Sequence, residues 1–71
     1  MNRTPVTSSS IASAGYLAEG STLEVEYRNG SVYQYFAVPK SLFESLLRAE
    51  SKGMFVSERI RGHYPYLRVD R

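Results

Sequence analysis

A chain of 71 residues that is 42% hydrophobic and 13% aromatic is long enough for one small domain and too apolar to stay disordered. It has no cysteine and a single histidine, His63, which excludes a disulfide framework and leaves no Cys/His set for zinc. The formal net charge of +2 is uneven: residues 1–58 hold five cations against six glutamates, whereas residues 59–71 hold four arginines against Asp70.

Taken in chain order, residues 1–7 read as a flexible N-terminal arm and residues 8–71 as a single domain. No run approaches the ~20 apolar residues of a membrane span, and the first residues lack the charged-then-apolar pattern of a signal peptide, so a cytoplasmic location is expected. Ser9 to Tyr16 reads as a first strand. In Thr22–Tyr27, Leu23, Val25 and Tyr27 alternate with Glu24 and Glu26, the period of a half-buried strand. Asn29-Gly30 then supplies a hairpin turn into a second β-rich run, Ser31 to Val38.

Pro39 suits a helix start, and Ser41 with Glu44 reads as a capping box. Leu42, Phe43, Leu46, Leu47 and Ala49 form a helical apolar stripe, with a Glu44–Arg48 ion pair expected on the opposite side and Gly53 as the stop. Residues 54–62 predict a shorter second helix. Met54, Phe55, Val56 and Ile60 would face inward, and Arg59 and Arg61 would stay in water. Tyr66 to Val69 reads as a short edge strand. The expected fold class is α+β: a small antiparallel sheet of about three strands with two C-terminal helices packed on one face.

The hairpin allows two registers. A two-residue loop pairs Val25 with Gln34 and leaves Tyr33 and Tyr35 in solvent. A three-residue loop, Arg28-Asn29-Gly30 with a glycine bulge, pairs Val25 with Tyr33 and Leu23 with Tyr35 and turns both rings toward the core side. The first register buries the Gln34 amide at a cost of ~1–3 kcal/mol if unsatisfied. A buried tyrosine can bond its hydroxyl at the core's edge, so the second register carries the smaller penalty.

Ser8-Ser9, Ile11, Tyr16, Leu23–Tyr27, Gly30, Tyr33-Gln34-Tyr35, Val38-Pro39, Phe43–Gly53, Phe55, Ile60-Arg61 and Tyr64 stand in an order that resembles the KTSC domain family. That family is named for its place at the C-terminus of some lysyl-tRNA synthetases and includes stand-alone small bacterial and phage proteins. Its hallmark Y-x-Y is matched by Tyr33 and Tyr35, and the resemblance runs from about Thr4 to Arg68. It implies RNA binding by association with the synthetases, and no catalytic residues.

The residues themselves argue against an enzyme. His63 lies in a Gly-His-Tyr-Pro turn, Glu24 and Glu26 are the wet face of a strand, and the five glycines are too scattered for a phosphate loop. No cofactor or metal is expected. Two binding readings stay open. One is RNA held by the C-terminal Arg/Tyr surface: Arg59, Arg61, Arg68, Arg71, Tyr64 and Tyr66, with guanidinium on phosphate and ring on base. Against it, Arg59 and Arg61 fall ~200° apart on a 3.6-residue helix. The other is a protein-interaction module, or a homodimer, using a sheet face that exposes Val32 and Phe36.

Overall fold

A computed structural model describes residues 3–70. The architecture is α+β, with five antiparallel strands rather than about three, in the order β1-β2-β3-β4-β5. The strands are β1 (Thr4–Pro5), β2 (Ile11–Leu17), β3 (Thr22–Tyr27), β4 (Val32–Tyr35) and β5 (Tyr66–Arg68). The two added edges, β1 and β5, are only two and three residues long. Too short to show a period, they are defined by the strands they pair with. β1 falls within the expected arm, where Thr4 and Pro5 pair with Ala14 and Ser13.

The hairpin takes the three-residue loop. Val25 stands opposite Tyr33 and Leu23 opposite Tyr35. Tyr27 N–H donates to the Ser31 carbonyl (2.8 Å), and Gly30 N–H donates to the Tyr27 carbonyl (3.0 Å). Gly30 takes the bulge at φ +95°, a conformation open to glycine and costly for other residues. Asn29 Oδ1 accepts Ser31 N–H at 2.9 Å and closes the loop. The Gln34 amide falls on the outer face and donates to Glu24 Oε1 at 2.8 Å.

Helix α1 runs Lys40–Arg48. Pro39 occupies the N-cap with extended backbone, so the helix begins one residue before Ser41 and the expected capping box does not form. It ends at Ala49, not at Gly53, and Glu44–Arg48 is not among the ion pairs of the described residues. The second helical segment is one α turn, α2 (Lys52–Phe55), continued by a π turn over Val56–Ile60. Ser51 caps it, accepting Met54 N–H at 3.3 Å. Gly53 lies inside α2, where a Cβ would meet Ser10 Oγ at 2.9 Å.

The core lies between these helical segments and one sheet face. Ile11, Leu23, Val25, Val38, Leu46, Val56 and Ile60 are fully buried in it. Tyr16 ties the layers together: its ring stacks on Phe43 at 5.5 Å and its hydroxyl donates to the Val38 carbonyl at 2.6 Å. The opposite sheet face is polar where β2, β3 and β4 meet. There Ser13 bonds Glu26 (2.9 Å) and Arg3 pairs with Glu24 (3.3 Å). Val32 and Phe36 are half-buried.

Between β4 and α1, exposed Ala37 sits at φ +62°, in the left-handed region. That conformation costs an L-residue about 1–2 kcal/mol, against about 0.5–1 kcal/mol of extra unfolded-state entropy for glycine. Relief of strain outweighs that entropy, so Ala37→Gly is expected to raise stability by about 0.5–1 kcal/mol, or a few degrees in Tm. Thermal melts check this; an unchanged or lower Tm would refute it.

Candidate nucleic-acid interface

The hairpin register puts Tyr27, Tyr33 and Tyr35 on the helix side of the sheet, but the helices do not cover all of it. Helix α1 packs over β2, and α2 approaches the Ser10 turn. Next to β4 and β5 the face is open. β5 pairs with β4 so that Tyr66 faces Tyr35 and Arg68 faces Tyr33, which adds a fourth ring. Tyr66 lies 5.7 Å from Tyr33 and 6.0 Å from Tyr35, centroid to centroid. Tyr33 stacks on Tyr35 at 6.2 Å and meets Tyr27 edge-on at 5.7 Å. Offset and edge-on pairs at these distances are favourable for aromatic rings.

These four tyrosines line a cleft of about 960 Å³ between the hairpin tip, β5 and the end of the π turn. Tyr35 is only 2% exposed, whereas Tyr66 is 61% exposed and Tyr27 and Tyr33 are half-buried. The cluster therefore grades from core to surface. Tyr27 and Tyr35 join their hydroxyls at 2.9 Å. Burial pushes both phenols above their ordinary value near 10, and for Tyr35 the bond to Tyr27 pushes further. The Arg61 charge acts on both in the opposite direction. Both groups stay neutral at physiological pH, able to donate and accept.

Of the six residues expected to form one Arg/Tyr surface, the five among the described residues are not gathered on one surface. Arg61 lines the cleft: it follows the π turn with extended backbone, and its N–H bonds the Val56 carbonyl at 2.8 Å. Arg59 instead stands 5.5 Å over the Phe55 ring, away from the cleft lining. Tyr64 packs against the core. Arg68 is beside Tyr33, but its Nε holds Asp70 at 2.7 Å, which compensates its charge. Arg71 lies outside the described residues. Arg28, which sequence reasoning missed as a candidate, also lines the cleft. Its guanidinium bonds the backbone carbonyls of Ser8 (3.1 Å) and Val6 (3.3 Å), and among the described residues no carboxylate pairs with it. Its place in the hairpin loop was the one signal in the sequence.

Asp70 seats β5. Its Oδ1 accepts the Val32 N–H at 3.1 Å as well as the Arg68 guanidinium. The Arg68 bond first, and the Val32 bond second, lower its pKa from 3.8 to about 2. A depressed folded-state pKa means the stabilisation is present above about 3.8 and is lost as pH falls through about 2. Acidification from pH 4 to pH 2 is therefore expected to loosen β5, read as a lower protection factor of the Leu67 amide, its exchange being compared with the intrinsic rate at each pH. Asp70→Asn should flatten that pH response; an unchanged response would exclude Asp70 as its source.

Among the described residues, no group of three or more acidic, histidine or cysteine side chains is placed to hold a metal, and no helix is long and apolar enough to cross a membrane. The KTSC domain family model matches residues 7–64. A KTSC domain protein of Yersinia pestis has a similar crystal structure, with a TM-score of 0.91, 36% identity and 97% of each chain covered. An uncharacterized protein of Stutzerimonas stutzeri is 41% identical over 71 residues, covering 99% of this chain and all of the relative. A lysine–tRNA ligase of Nostoc punctiforme is 41% identical over 51 residues, which are 72% of this chain and 9% of the ligase.

Proposed function

Since the chain belongs to the KTSC domain family, we propose that it is a non-catalytic domain that binds single-stranded RNA in its tyrosine cleft. The observation that carries this reading is the open aromatic cleft with two cations in its lining, Arg28 and Arg61, neither paired with a carboxylate among the described residues. Single-stranded RNA is held by stacking bases on aromatic rings while arginine meets phosphate. A duplex keeps its base faces inside the stack, so the tyrosines select unpaired bases. Ser10, Ser31 and Ser57 add hydroxyls at the same site that suit ribose 2′-OH groups. Similarity to a segment of lysine–tRNA ligases supports an RNA partner.

The test is a titration of the purified protein with a short labelled single-stranded RNA at several salt concentrations. At ~0.7 per phosphate, two arginines give a slope of log K against log salt of about −1.4. Arg61→Gln should bring it to about −0.7. No binding at low salt would overturn the reading.

A further inference from the structure

We propose that β5 is a dimerisation edge, pairing antiparallel with β5 of a second copy about a two-fold axis through Leu67. Phe36 N–H donates to the Pro65 carbonyl (2.9 Å) and Val69 N–H donates to the Val32 carbonyl (2.8 Å), so the odd positions of this segment bond to β4. By the alternation of an antiparallel ladder, the N–H and C=O groups of Tyr66 and Arg68 point away from the sheet. No turn, loop or side-chain hydrogen bond among the described residues takes up these four groups.

Exposed edges are usually blunted by proline, charge or extreme shortness. β1, at the other end of the sheet, is two residues long and contains Pro5. β5 has no proline at an outward position, and its one charge, Arg68, is compensated by Asp70. Exposed apolar side chains flank it: Tyr66 at 61%, Leu67 at 56% and Val69 at 40%.

The occupant is a second copy because the edge is complementary to itself. With Leu67 on the axis, each Tyr66 faces Arg68 of the other copy. The outward groups then form four backbone hydrogen bonds, and each guanidinium lies beside a phenol ring. The two Leu67 side chains meet in a non-hydrogen-bonded pair, where Cα atoms approach to about 4.5 Å. Tyr66 points to the cleft side, so the two clefts would adjoin across the axis. An interface of three residues per strand is small, which sets the expected Kd between about 1 μM and 1 mM.

Sedimentation without RNA, from about 0.1 μM to 1 mM protein, tests this separately from the cleft reading. The wild type should pass from monomer to dimer. Arg68→Pro removes an outward donor without touching the β4 ladder, and should raise Kd about tenfold or more. Arg68→Gln keeps the N–H and should dimerise more tightly than Arg68→Pro. Leu67→Glu places two carboxylates on the axis and should also give monomers, which covers the case of a poorly folded proline variant. Amides of Tyr66 and Arg68 in the wild type should become protected as concentration rises. A strict monomer at 1 mM, or a dimer that both Arg68→Pro and Leu67→Glu leave intact, would overturn the proposal.

Discussion

Tyr66→Ala is expected to weaken binding of single-stranded RNA by about five- to 150-fold, the equivalent of ~1–3 kcal/mol for one base–ring stack. Tyr66 is the right ring to remove because it is the most exposed of the four and belongs to an edge strand. It touches Tyr33 and Tyr35 only on one side. Its loss removes two ring pairs and should cost about 1–3 kcal/mol of folding stability. Tyr35→Ala could not make the same point, since Tyr35 is part of the core and its truncation would unfold the site. Fluorescence anisotropy with the labelled RNA measures the effect, alongside a melt to show the fold intact. An affinity equal to the wild type would remove stacking on Tyr66 from the mechanism.

Ile60→Ala should lower stability by about 2–5 kcal/mol, the cost of a large-to-small change at a fully buried position. Typical domains hold about 0.05–0.15 kcal/mol per residue, so a chain this long has about 4–11 kcal/mol in total. One methyl-rich side chain thus accounts for about a fifth of the margin at the least and about half or more at the most, and Tm should fall by about 10 °C or more. No disulfide is present to offset it. Ile60 also ends the π turn that delivers Arg61 to the cleft. RNA binding should fall with stability and return in part at lower temperature. Met54→Ala, at a site 59% exposed, is the control and should change stability by less than about 0.5 kcal/mol. A loss below about 1 kcal/mol for Ile60→Ala would mean that the helical layer packs more loosely than described.

The hairpin was legible in the sequence because its signals are local. The alternation from Leu23 to Tyr27, a glycine at the tip and the cost of burying Gln34 all act within a dozen residues. The core stripe of α1 was legible for the same reason, and Leu46 is buried as its spacing implies. The capping box was misread because two start signals compete, and Pro39 sets the boundary one residue earlier. The π turn left no trace, since its period differs from the helical one by a single residue in one turn. The cleft was legible only in pieces. Tyr33, Tyr66 and Arg61 stood out as residue types, but their meeting depends on the β4–β5 register, which spans more than 30 positions of chain. Arg28 was passed over because nothing near it in sequence announces that the hairpin tip turns toward Arg61.

Tyr35 faces two ways: it closes the interior and also borders the open cleft. A guest settling against these rings would then be coupled to the folding equilibrium itself. Occupancy at a hundredfold excess over Kd adds about 2.7 kcal/mol to a domain that has little in reserve. Such a protein is sturdiest when loaded, and its survival against proteolysis in the cell would track the supply of whatever it holds.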